Sequence, residues 1–153
     1  MVNEDGFSLI EVLIALVIWA IVIAIALPDF IGLLDGAQLQ QTALQIVSDL
    51  RSQQMKAEQV QLYQEVRFAP FNTYYFLYGN GTGYEAFKSF DWPTTYYDGY
   101  LHLQSPTVRY DDYGNVSESG QIGLVDPFGH IQNIVLYLQY GDMRLTSHML
   151  MGT

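Results

Sequence analysis

The hydrophobic pattern divides the chain into three stretches. From Phe7 to Leu27 only Ser8 and Glu11 are polar. A helix of that length reaches about 31 Å at ~1.5 Å per residue, close to one hydrocarbon core. Pro28 follows, and a proline there is expected to kink or loosen a helix. A helical period then resumes. Leu39, Ala43, Ile46, Leu50, Gln53, Ala57 and Val60 recur in alternating steps of four and three, one stripe with a polar interruption at Gln53. Gln40, Gln41, Gln45, Ser48, Ser52 and Lys56 fall on the opposite face, toward water. After Gln61 the period shortens. Gln61 to Phe68, Thr73 to Tyr78, Tyr100 to Gln104, Thr107 to Tyr110, Gln121 to Val125, Asn133 to Tyr140 and Met143 to Ser147 are rich in β-branched and aromatic residues and read as strands. Turn sequences separate them, among them Gly79-Asn80-Gly81, Asp98-Gly99, Asp126-Pro127-Phe128-Gly129 and Gly141-Asp142. No helical pattern follows any strand, so the sheet is expected to be mainly antiparallel. The fold class is α+β: a long N-terminal helix, half membrane-spanning and half amphipathic, packed on a sheet.

Charge narrows the function. The 16 acidic residues against 6 basic ones give a formal net charge of −10. Arg51, Lys56, Arg67, Lys88, Arg109 and Arg144 are scattered singly. Binding through nucleic-acid phosphate needs clustered cations. Without cysteine the chain has no disulfide, thiolate metal site or thiol nucleophile. His102, His130 and His148 lack ligand spacing, and no P-loop, dinucleotide fingerprint or Gly-x-Ser-x-Gly occurs. The reading is a non-enzyme. Asp111, Asp112, Asn115 and Glu118 concentrate oxygen donors on a Gly-bearing loop. Calcium takes such ligands, and a solvated acidic turn reads the same way. Tyrosines cluster at Tyr74-Tyr75, Tyr96-Tyr97 and Tyr137 to Tyr140. They are half-buried sheet residues, or a contact surface for other subunits or a ligand.

Glu11 sets the N-terminal segment apart from a plain anchor. A charge at a bilayer centre costs on the order of 3 kcal/mol. A secretory signal peptide fits the small residues Ala24-Ile25-Ala26, but its n-region is basic, and Met1 to Gly6 carries only Glu4 and Asp5. A passive anchor explains the length and not the carboxylate. If a peptidase cuts after Gly6, Phe7 gains a positive amino group, and Glu11 lies four residues on, on the same helix face. Glu11 then pairs within the subunit or with the Phe7 amino group of a neighbour, and a buried charge of this kind sets assembly register.

Gly6-Phe7-Ser8-Leu9-Ile10-Glu11 resembles the prepilin motif of type IV pilins and pseudopilins. The resemblance implies cleavage after Gly6, N-methylation of Phe7 and Glu11 as the assembly residue. Pro28 falls where many pilins have a helix-weakening proline. The leader is acidic here and usually basic in the family. Toward the C-terminus, Tyr110, Gly114, Gln121-Ile122 and Gly141 are similar to minor pseudopilins, the H-type subunit of type II secretion and the D-type subunit of Gram-positive competence filaments. Asp142 stands where Arg is common, and Glu85 to Pro106 matches neither.

The resemblance implies a pilin fold with a leader at 1–6, a hydrophobic helix at 7–28, an amphipathic helix at 29–60 and a sheet domain at 61–153, with 29–153 one soluble unit. It implies a structural filament subunit in DNA uptake or protein secretion. Its partners are other pilin subunits, prepilin peptidase, the inner-membrane assembly platform and lipid. The chain would cross the inner membrane once and then enter a filament in the periplasm or at the cell surface. The rival readings are a binding domain on a membrane anchor and a DNA receptor at a filament tip.

Overall fold

The structure, a computed structural model, describes residues 8–69, 72–79, 83–90, 94–96, 106–138 and 141–149. One helix, α1 (Leu9–Val60), precedes eight strands: β1 (Gln64–Phe68), β2 (Tyr74–Gly79), β3 (Gly83–Ser89), β4 (Thr95–Tyr96), β5 (Thr107–Tyr110), β6 (Gly120–Val125), β7 (His130–Leu136) and β8 (Met143–Met149). The chain forms two compact units, Met1–Leu34 and Asp35–Thr153.

In the first unit the apolar side chains from Leu9 to Leu34 stand exposed. The most apolar window of α1 has a mean hydropathy of 3.0, and none of it is buried. By length and composition α1 can cross a membrane. Pro28 lies inside α1, which is helical on both sides of it. A proline removes one donor and crowds one carbonyl; the remaining ladder holds, so the helix does not end there.

The second unit buries the predicted stripe. Leu39, Ala43, Ile46, Leu50, Gln53 and Ala57 are buried, and Thr42 and Val47 join them. Val60 is the exception, at 46 % exposure, because the helix is closing there. Gln61 takes a left-handed φ of 53°, and Leu62 N–H donates to Ala57 C=O at 3.3 Å. This is the six-to-one bond of a Schellman stop, with Gln where glycine is usual. A side chain in that conformation costs about 1 kcal/mol. Gln61→Gly is expected to raise thermal stability by roughly 1 kcal/mol, measured by denaturation in detergent.

The strands form two four-stranded antiparallel sheets, not one: β3-β2-β1-β5 and β4-β6-β7-β8. Each lends one face to a common core. Val66, Phe68, Tyr75, Leu77, Val108 and Tyr110 come from the first sheet, and Ile122, Leu124, Ile134 and Leu136 from the second, around Ile46 and Leu50 of α1. Burying a chain that alternates in this way contributes roughly 25 cal/mol per Å² of apolar surface, and the period of two decides which side chains take part.

Besides shifts of one or two residues at strand ends, the observed strands differ from the predicted ones in four places. β1 starts at Gln64, not Gln61, because Gln61 closes α1. β7 starts at His130 and ends at Leu136, not at Asn133 and Tyr140. The Asp126 turn sets this register: its carboxylate accepts the N–H of Phe128 and of His130, both at 2.9 Å, and Val125 pairs with Ile131. Most of β3, from Glu85 on, lies in the stretch that matched no family pattern. It pairs with β2 across a bulge at Leu77/Tyr78, and its inner residues are only half-buried, so no clean alternation marks it. β4 is two residues long, too short for a periodic pattern. The strand expected at Tyr100 to Gln104, and His102 with it, lies outside the described residues.

Candidate functional site

The start of α1 carries the candidate assembly chemistry. Ser8 is the N-cap: its carbonyl accepts the N–H of Glu11 at 3.1 Å and of Val12 at 3.3 Å. Ser8 N–H donates to Glu11 Oε2 at 2.8 Å, and Glu11 N–H lies 3.3 Å from Ser8 Oγ. These reciprocal bonds are a capping box, Ser followed three residues on by Glu. Glu11 therefore sits in the first turn, where the free N–H groups and the helix dipole favour an anion. Its carboxylate has a partner within its own chain. The Ser-x-x-Glu spacing was visible in the sequence, yet reading Glu11 only against Phe7 left Ser8 without a role. Gly6 and Phe7 lie outside the described residues.

Further along α1, Gly32 and Gly36 have open space where a Cβ would stand. The side chains from Leu9 to Leu27 form an apolar surface available to lipid or to another helix.

The loop after β5 is closed by its own N–H groups. Asp111 Oδ1 accepts from Tyr113 N at 2.9 Å and Asn115 N at 2.8 Å, and Oδ2 accepts from Asn115 Nδ2 at 3.0 Å. Burial raises the Asp111 pKa, and these three donors together outweigh it, holding the carboxyl below its usual range. Of the four calcium candidates, Asp111 and Asn115 are thus joined to each other. Asp112 is exposed, and Glu118 is half-buried. Among the described residues no three His, Cys, Asp or Glu side chains converge as a metal cage. Gly114 needs its left-handed φ of 78° and lies so close to α1 that an added Cβ would meet Glu58 Oε1 at 2.1 Å.

An ion cluster absent from the sequence reading lies on the outer face of the first sheet. Glu65 is 3 % exposed. Its Oε2 accepts from Arg67 Nε at 3.0 Å, and its Oε1 from Arg109 Nε at 2.8 Å. Register brings them together: Glu65 stands opposite Arg109 on β5 and opposite Tyr78 on β2. Burial raises the Glu65 pKa, and the two guanidinium groups more than reverse that, leaving it below the ordinary value of 4.5. The Arg67 guanidinium stacks 4.3 Å from the Tyr78 ring centroid and that of Arg109 5.2 Å from Tyr63.

Three further polar contacts join parts of the fold. Tyr75 donates to Asp49 on α1 at 2.5 Å. Burial first, and then this bond, pushes the Tyr75 hydroxyl pKa far up. Lys56 pairs with Glu85 across α1 and β3. His130 Nδ1 lies 2.6 Å from Asp126 Oδ2 at the β6–β7 turn.

Residues 1–27 match the family model of the prokaryotic N-terminal methylation motif. No curated protein and no solved structure matches the chain. The motif supports a type IV pilin-like subunit, and the single α1 helix packed on antiparallel sheets is consistent with a pilin fold. A motif of this kind implies processing by prepilin peptidase and assembly with other pilin subunits. An apolar helix behind it fits a membrane-anchored pilin.

Proposed function

We propose that the chain is a minor pseudopilin, a structural subunit of a short type IV pilus-like filament serving DNA uptake or type II protein secretion. One observation carries the reading: the methylation motif opens a helix whose first part is apolar and unburied and whose later turns are buried under folded sheets. A passive anchor needs the apolar length alone. A filament subunit needs an apolar helix that can leave lipid for neighbouring helices, and a folded part that travels with it. Gly6 is the cleavage residue, Phe7 the methylated terminus and Glu11 the assembly residue. Residues 29–153 form the soluble part outside the membrane. DNA uptake and secretion filaments are each encoded in gene clusters, and the neighbouring genes separate the two.

The reading is tested at the N-terminus. With the matching peptidase co-expressed, mass spectrometry of the membrane-extracted protein is expected to find a chain beginning at methylated Phe7. A chain beginning at Met1, or at Leu27 as a signal peptidase would leave it, overturns the proposal. Gly6→Ala is expected to slow cleavage and a larger residue to block it, since the peptidase must approach this backbone closely.

A further inference from the structure

We propose that the outer face of the β3-β2-β1-β5 sheet is a carbohydrate-binding platform, and that its ligand is the glycan of the cell wall, a strand of pyranose rings with a carboxylate carried on alternate rings. The inference rests on the pilin-like reading only in placing the folded part outside the membrane, where such a glycan lies.

Strand alternation builds the platform. The inner residues of β1, β2 and β5 enter the core, and their outer neighbours on β2 and β3 are rings. Tyr74, Phe76, Tyr78, Tyr84 and Phe87 form one cluster with neighbouring centroids 5.4 to 6.2 Å apart. Tyr84 and Phe87 are 55 % and 50 % exposed. Among the described residues no aliphatic side chain stands at an outer position of these strands. A pyranose ring is polar at its edge and apolar on the face where its C–H groups point, so it stacks on an aromatic ring. A tyrosine adds a hydroxyl that bonds the sugar's own hydroxyl groups.

Charge on the platform selects an acidic ligand. Arg67 and Arg109 stand beside the rings, and each turns its Nε and Nη2 toward Glu65. Nη1 of each remains to donate to an outside acceptor, on side chains that are half exposed. A carboxylate matches a guanidinium in both shape and charge. Glu65 neutralises one of the two cations, so the face carries one net positive charge in a chain whose net charge is −10. The Arg67 guanidinium, 4.3 Å from the Tyr78 ring centroid, is held at the edge of the ring cluster, and a group fixed in advance loses less freedom on binding.

Five rings against one net cation fit a polymer with flat faces and sparse charge. Single-stranded nucleic acid also brings rings, but with a phosphate on each nucleotide, and it needs a track of cations. A lipid surface is met by aliphatic as well as aromatic side chains. A protein partner needs more area: four strands about 4.8 Å apart, each near 20 Å long, present roughly 400 Å², against about 800 Å² per partner in a standard interface. A few sugar rings cover the platform.

The test uses the full chain, purified in a non-ionic detergent, and wall glycan strands on beads. An amidase first frees the strands of their peptides, so that every second ring ends in a lactyl carboxylate. The chain is strongly acidic overall, and its other faces are repelled by such beads, so retention reports on the platform. Wild type is expected to be retained at about 0.15 M salt. Tyr84→Ala and Phe87→Ala are each expected to weaken retention about fivefold. Both side chains are half-exposed, so the fold is kept, which an unchanged melting curve checks. Arg109→Gln also disturbs Glu65, so charge is tested from the ligand: strands whose carboxyl groups are converted to amides are expected to bind about threefold more weakly. Retention that is absent, that is unchanged in both ring variants, or that is unchanged by amidation overturns the proposal. Tighter binding to single-stranded DNA or to anionic phospholipid vesicles overturns it as well. The assay needs neither processing nor a filament, so its failure leaves the filament reading standing. A chain that begins at Met1 in cells overturns the filament reading and leaves the binding result as measured.

Discussion

Glu11→Ala is expected to leave the chain in the membrane, still cut after Gly6, and to lower its share in sheared filaments about tenfold, equivalent to ~1.4 kcal/mol of lost pairing. Insertion is expected to stay intact or improve, because a charge near lipid is gone. The improvement is smaller than the roughly 3 kcal/mol of a mid-bilayer charge, because Glu11 already has the Ser8 N–H and the helix dipole as partners. Glu11→Gln retains a side-chain acceptor for Ser8 and loses the charge, so it separates the two roles. If capping of α1 is what assembly needs, Gln restores incorporation. If pairing with the Phe7 amino group of a neighbour is what it needs, Gln fails like Ala. The filament reading expects Gln to fail. Ser8→Ala completes the set: it removes the cap and leaves the charge, and is expected to cost the helix start about 1 kcal/mol with incorporation largely retained. The measurement is the ratio of filament to membrane fractions, with co-purification of partner subunits beside it. Wild-type ratios for both Glu11 variants would reduce the segment to an anchor.

Glu65→Ala is expected to destabilise the folded part by about 2 kcal/mol near neutral pH and to lower Tm by roughly 8 °C. Removing the shared acceptor leaves two guanidinium groups facing each other across β1 and β5. Water reaches both of them, so the cost falls below that of breaking a fully buried pair. The pH dependence checks the cause. The folded pKa of Glu65 lies below its unfolded value of about 4.5. The stabilisation from its carboxylate is therefore complete above that value and disappears as pH falls through the lower folded pKa. The difference in Tm between wild type and Glu65→Ala is expected at pH 7 and should shrink below pH 4. A gap that stays constant down to pH 3 would mean that Glu65 acts through packing alone.

Much of the fold was legible along the chain because its causes are local. A stripe at steps of three and four can bury only one face of a helix, and Leu39 through Ala57 are buried as that spacing requires. An apolar run with one carboxylate near its start reads directly as the motif that the family model matches. Asp126-Pro127-Phe128-Gly129 is a turn because its side chain and its glycine satisfy the local backbone, and Gly129 does take a φ of 82°.

Contacts between distant residues were decided only by the tertiary structure. Tyr74 and Tyr75 are adjacent and alike in sequence, yet Tyr75 is 1 % exposed and bonded to Asp49, while Tyr74 joins the outer rings. Which of the two faces inward depends on strand register, and a single-residue slip would exchange them. Glu65 and Arg109 are 44 residues apart and become an ion pair only because β1 and β5 are neighbours. The division into two sheets was also hidden, since a strand's own sequence does not name its partner and only pairing assigns one. Local periodicity determined α1 and most of the strands, and the apolar run a length able to cross a membrane; the pairing of strands decided which charges and rings share a surface, because side chains far apart in sequence interact only once the backbone brings them within reach.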